Sequence, residues 1–103
     1  MRVRMLVLAL LLAAAPASAG DFMVHVGHDK LDPAEVKIKA GDTVVFHNMD
    51  QMPGGHTVVS EDGELQSPPL ALDGKWSHTF VMPGKYQFHI KEHPDARATV
   101  IVE

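Results

Sequence analysis

FVMPGKYQFHIKEHPDARATVIV, residues 80–102, is the stretch that decides the fold. Pro83-Gly84 is a strong turn pair, because proline presets its own φ and glycine accepts the conformation that follows. Beyond it, Tyr86, Phe88 and Ile90 alternate with Gln87, His89 and Lys91. A period of two puts the first set on one face of a strand and the second on the other, so the first set is expected to face a core. A further strand is expected from Ala98 to Val102. Working outward, Thr43 to Asn48 turns Val44 and Phe46 inward and Val45 and His47 outward. Phe22 to Val26 turns Val24 and Val26 inward and His25 outward. Glu35 to Lys39, His56 to Ser60 and Lys75 to Val81 complete the expected strands. Asp32-Pro33, Ala40-Gly41-Asp42, Pro53-Gly54-Gly55, Asp62-Gly63 and Asp73-Gly74 punctuate them. No stretch carries a sustained helical period, and the spacing suits an all-β sandwich.

The chain opens MRVRMLVLALLLAAAPASAG. Arg2 and Arg4, an apolar run from Met5 to Ala15, and Ala17-Ser18-Ala19 form the three parts of a signal peptide. A membrane span needs ~20 apolar residues, and this run is shorter and ends at Pro16. Residues 1–19 are therefore expected to be a cleaved signal peptide and residues 20–103 a single domain, with no membrane span after cleavage. The whole chain carries a formal charge of −4, and losing both leader arginines makes the remainder more acidic, which argues against a nucleic-acid partner. Small exported domains often rely on disulfides, yet this chain has no cysteine. Seven histidines and six methionines instead offer borderline and soft metal ligands. No Gly-x-Ser-x-Gly elbow, nucleophilic cysteine or phosphate-cradling glycine motif occurs, so no enzymatic activity is expected.

Several of these landmarks together carry a resemblance. Leu31-Asp32-Pro33-Ala34-Glu35-Val36, Ala40-Gly41-Asp42-Thr43-Val44, Phe46-His47-Asn48 and His56-Thr57-Val58 are followed by Phe80, Pro83-Gly84-Lys85-Tyr86-Gln87-Phe88-His89, His93-Pro94 and Thr99-Val100-Ile101-Val102-Glu103. This ordered set resembles the plastocyanin and amicyanin branch of the cupredoxins, and amicyanin most closely, over essentially all of residues 20–103. The resemblance implies a cupredoxin-like Greek-key β-sandwich of about seven to eight strands. It also implies that His56 and His93 stand at the two copper-histidine positions. Where the family has its ligand cysteine and axial methionine, this chain has Ile90 and Ala96. Pro53-Gly54-Gly55 is two residues longer than the corresponding family segment, which shifts the expected place of His56 relative to His93.

A blue copper centre requires a cysteine thiolate beside two imidazoles, so the resemblance cannot extend to that chemistry here. His56 and His93 are expected to bind copper, or zinc, in a non-blue site. Met52 is the candidate third ligand, with Glu92 and Asp95 as further possibilities and water completing the shell. The bland alternative for the histidines is a hydrogen-bonded relic pair, and for Met52 a loop side chain covering apolar surface. His25, His47 and His89 are expected to be solvated, with a second surface site open to them if their strands are neighbours. His78 shares a face with Trp76 and Phe80 and is expected to be partly buried. The functional expectation is a periplasmic copper-binding protein serving sequestration or delivery, with a periplasmic redox or transport protein as the expected partner. The alternatives are a metal-free binding module and an electron carrier of amicyanin or plastocyanin type.

Overall fold

The computed structural model describes residues 20–103. The signal-peptide reading of residues 1–19 lies outside the described residues. Eight strands form two four-stranded sheets. They are β1 (Asp21–Val26), β2 (Leu31–Asp32), β3 (Glu35–Ile38), β4 (Thr43–Asn48), β5 (Val58–Ser60), β6 (Lys75–Thr79), β7 (Gly84–Ile90) and β8 (His93–Val102). One sheet runs β2-β1-β4-β6 and the other β3-β8-β7-β5. β1 lies parallel to β4 and β3 parallel to β8, so both sheets are mixed. Among the described residues no helix is long and apolar enough to cross a membrane.

Period-two alternation builds the core. Val24, Val26, Val44 and Phe46 from the first sheet and Phe88, Ile90, Ala96, Ala98, Val100 and Val102 from the second are all buried. Rings of Phe46 and Phe88 meet across the sheets with centroids 5.3 Å apart. Burying such side chains is worth roughly 1.5–3 kcal/mol each relative to exposure, which lets the sandwich hold without a disulfide. Asp42 closes the β3–β4 turn and ties it to the start of β1, accepting hydrogen bonds from the backbone N–H of Lys39 and of Gly20, each at 2.9 Å.

The strands follow the sequence reading to within one residue, with four larger differences. β2 is an additional two-residue strand paired with β1. β6 ends at Thr79, before the exposed Val81 and Met82. β5 starts at Val58, because the backbone of His56 bridges Leu70 instead of joining the ladder. β8 starts at His93, not Ala98: Ile90 pairs with His93 around Lys91-Glu92, and the next pair is His89 with Arg97. The irregularity between those pairs takes up Pro94, Asp95 and Ala96, and a bulge is where a strand tolerates a proline lacking an N–H. The β7–β8 hairpin thus carries His93 directly on the rim of the sandwich.

The core assignment has a direct check. Phe88→Ala removes a fully buried ring at the contact between the sheets and is expected to lower unfolding stability by ~3–5 kcal/mol in chemical denaturation.

Candidate metal centre

His56 is fully buried and held by its backbone. Its N–H donates to the Leu70 carbonyl at 3.0 Å, and the Leu70 N–H donates back to the His56 carbonyl at 2.8 Å. This close pairing explains Gly55, whose φ is +76° and where a Cβ would stand 2.7 Å from the Leu70 oxygen. The Leu70 carbonyl also accepts from the buried Asn48 side chain at 2.7 Å, while Asn48 Oδ1 receives the Asp50 N–H at 3.0 Å. Asp50 is thereby aimed at His56, and its Oδ2 lies 2.9 Å from His56 Nε2. The Pro53-Gly54-Gly55 segment is absorbed as a turn closed by the Gly55 N–H on the Met52 carbonyl at 2.9 Å.

Three hydrogen bonds tie the His56 loop to the hairpin bearing His93. Glu92 accepts from the Thr57 N–H at 2.7 Å through one oxygen and from the Thr57 hydroxyl at 2.8 Å through the other. The Lys91 N–H donates to the Thr57 carbonyl at 2.8 Å. Each side of this clamp adjoins a candidate ligand in sequence, Thr57 next to His56 and Glu92 next to His93. Burial works against the charged form of Glu92, but the bonds from Thr57 outweigh it and hold the carboxyl below its ordinary range. The sequence reading offered Glu92 as a possible ligand. Its position corrects that: both oxygens are already engaged by Thr57.

The outcome is two facing imidazoles, His56 and His93, with ring centroids 5.6 Å apart. His56 Nδ1 and His93 Nε2 are both buried without a hydrogen-bond partner. Asp50 is held below the ordinary aspartate range by its hydrogen bonds from His56 and His28, so its carboxylate accepts only. In the neutral ring the His56 proton therefore sits on Nε2, and Nδ1 carries a bare lone pair, the state in which imidazole binds a metal. Leaving such atoms buried and unpaired costs ~1–3 kcal/mol each, which a bound cation would offset.

Ile90 and Ala96, both buried, supply apolar surface at the positions where the family resemblance expects sulfur. Met52 lines a surface hollow of about 360 Å³ with Gln51, Pro53, Ala71 and Leu72. Among the described residues no three His, Cys, Asp or Glu side chains already stand as a complete ligand set. Sequence reasoning missed His28 and Asp50. Asp50 Oδ2 also lies 3.2 Å from His28 Nδ1, and the His28 and His93 ring centroids are 5.0 Å apart. No local spacing signals this grouping, because three separate loops assemble it.

The remaining histidines are more engaged than the expectation of solvated side chains allows. His47 Nε2 lies 3.2 Å from Asp73, and His89 Nδ1 lies 2.8 Å from Glu61, which Arg97 also contacts. His25 is exposed, and it neighbours His47 across β1 and β4 with ring centroids 5.7 Å apart. His78 is half-buried as expected, stacked on Trp76 and edge-on to Phe80.

Comparison with known proteins agrees with this architecture. Residues 2–102 match the cupredoxin-like domain family. The chain is 35% identical to amicyanin of Paracoccus denitrificans over 94 residues, covering 88% of this chain and 72% of that protein. It is likewise 35% identical to plastocyanin of Prochlorothrix hollandica over 111 residues, covering 91% and 82% respectively. Among solved structures, a Cu(I) methionine-to-alanine mutant of amicyanin matches with a TM-score of 0.71 at 32% identity, covering 87% of this chain and 90% of that one. An oxidized methionine-to-leucine mutant of amicyanin matches with a TM-score of 0.73 at 31% identity, covering 86% and 90%.

The Glu92 clamp is testable by pH. Its folded-state pKa lies below the reference 4.5, so its contribution is complete above that value and is lost as the pH falls through the lowered one. Glu92→Ala is expected to cost about 1–3 kcal/mol at neutral pH, with the difference from the parent narrowing in acid, as read by denaturation at several pH values.

Proposed function

The chain belongs to the cupredoxin family, and from that premise we propose that it is an exported, non-enzymatic metal-binding protein that holds copper through His56 and His93 in a non-blue site. The observation that carries the reading is the pair of buried, unpartnered nitrogens on facing imidazoles. His56, its tautomer fixed by Asp50, offers Nδ1, and His93 offers its ring from the rim of the β7–β8 hairpin. Met52, the third donor that the sequence offers, lines a hollow with Gln51, Pro53, Ala71 and Leu72 that neither imidazole borders, which favours a donor other than its thioether, and water fills what the side chains leave open. Zinc suits the same imidazole pair.

Copper, when bound, supplies a centre that accepts or releases one electron. The chain's own residues are better suited to holding the ion than to passing that electron quickly. With Ile90 in place of a thiolate and Ala96 in place of a thioether, neither strong covalency nor axial tuning is provided. Sequestration or delivery of copper is therefore favoured over electron transfer of the amicyanin or plastocyanin type. The N-terminal Arg-apolar-Ala pattern supports export, and the family relationship supports a periplasmic address and a periplasmic redox or transport partner.

A second reading, a metal-free scaffold acting as a binding module, draws on the buried Ile90 and Ala96, since an apolar floor removes a polar group that would need a partner. Copper titration of the metal-free protein separates the two. The first reading expects one saturable Cu(II) per chain with a weak d–d band, and loss of that equivalent in the His56→Ala, His93→Ala double variant. Absence of saturation would support the metal-free module, and undiminished binding by the double variant would overturn the assignment of copper to His56 and His93.

The alignment of Ile90 with the family's cysteine position has its own check. Ile90→Cys, combined with Ala96→Met, is expected to give an intense blue absorption on Cu(II) addition, whereas the parent stays pale. A colourless double variant would mean that His56, residue 90 and His93 do not share the family's ligand geometry.

A further inference from the structure

The site is built from three loops at one end of the sandwich, and only two of them supply a ligand in the reading above. The third, between β1 and β2, is a tight turn closed by the Gly27 N–H on the Lys30 carbonyl at 2.8 Å. It presents His28, whose side chain is 69% exposed. The strands that set these loops fix their proximity: β1 and β4 run parallel and end together, and the Met49 N–H donates to the Val26 carbonyl at 2.9 Å.

We infer that His28 is the third metal-binding imidazole of this chain, joining His56 and His93 around one divalent ion. The inference rests on the reading of the site as metal-binding and goes beyond it in naming the donor and the class of ion. Three observations carry it. His93 neighbours both other rings, 5.0 Å from His28 and 5.6 Å from His56 by centroid. One carboxylate oxygen of Asp50 serves both outer rings, at 2.9 Å from His56 Nε2 and 3.2 Å from His28 Nδ1. An ionised carboxylate only accepts, so the neutral His28 ring carries its proton on Nδ1 and leaves Nε2 bare. Asp50 thus prepares two imidazoles at once, each with its free nitrogen on the side away from the carboxylate, as outer partners of metal-bound histidines do.

His28 is also the most exposed of the three, tethered on one side by its 3.2 Å contact with Asp50. His56 is sealed in the core and His93 is fixed on the hairpin rim, whereas an exposed histidine on a turn needs to change only its own side-chain torsions to reach a neighbour 5.0 Å away. Among the described residues the three rings do not already form a complete ligand set, so binding one ion requires such a torsional change at His28. Three imidazole nitrogens and no sulfur select a borderline divalent ion, Cu(II) or Zn(II), over Cu(I).

The test is Cu(II) binding by the parent, His28→Ala, Met52→Leu and the His56→Ala, His93→Ala double variant, with affinity from chelator competition and imidazole count from pulsed electron spin resonance. His28 and Met52 are not core residues, so the fold should survive their change, and circular dichroism checks it. The expected result is three coupled imidazoles in the parent, two in His28→Ala, and an affinity lower by roughly 10–100-fold, the range seen when a metal-bound histidine loses even its outer partner. Met52→Leu should match the parent. The inference is overturned if His28→Ala keeps the parent's count, or if Met52→Leu alone weakens the site. Equal binding by the double variant would overturn the underlying site reading as well.

Discussion

Thr57 is where the two halves of the site are joined. Its N–H, hydroxyl and carbonyl are all committed to the Lys91-Glu92 turn, so His56 and His93 cannot separate without breaking three hydrogen bonds, two of them to a carboxylate. Charge-assisted bonds of this kind are roughly twice as strong as neutral ones. The other contacts at this end of the sandwich set His56 itself. Gly55 lets the His56 backbone approach Leu70, Asn48 aims Asp50, and Asp50 decides which nitrogen of His56 is left bare. A β-sandwich supplies rigidity, and the clamp turns that rigidity into a fixed spacing between two imidazoles.

On the proposed reading, the same geometry lets a cupredoxin scaffold without the sulfur ligands keep a site. Ile90 and Ala96 stay buried and pack with the core, so the fold does not depend on the ligands they replace. The imidazoles remain, and their inward nitrogens are left without partners. Such atoms are costly in a protein interior, and on the proposed reading a metal ion would be their partner. Unpaired nitrogens without thiolate or thioether are the donor set that the proposed reading assigns to holding a borderline ion in place of electron exchange.

Much of the fold was legible in the sequence, because strand alternation is a local signal. Val24, Val26, Val44, Phe46, Phe88 and Ile90 all lie inward as their period-two pattern requires. The start of β8 was not legible, since Pro94 and Asp95 read as loop while a bulge lets the hairpin continue past them. The site was legible only in part. His56 and His93 could be placed by resemblance, and the structure brings their rings together. Met52 was the natural choice of third donor from its position before the Pro53-Gly54-Gly55 turn. His28 and Asp50 could not be found that way, because their meeting depends on β1 and β4 being parallel neighbours, a long-range pairing that no local motif encodes. Glu92, chosen for its place beside His93, proved to be a strut for the same reason: its partner Thr57 lies 35 residues away in sequence.

The central claim is that the buried imidazole pair is a metal site. Copper K-edge X-ray absorption on the protein loaded with one equivalent of Cu(II) tests it most directly, since imidazole rings leave a distinctive outer-shell scattering pattern. The account requires a first shell of nitrogen and oxygen at ~2.0 Å with outer-shell scattering from at least two imidazoles. A first shell of oxygen alone, with no imidazole pattern, would contradict it.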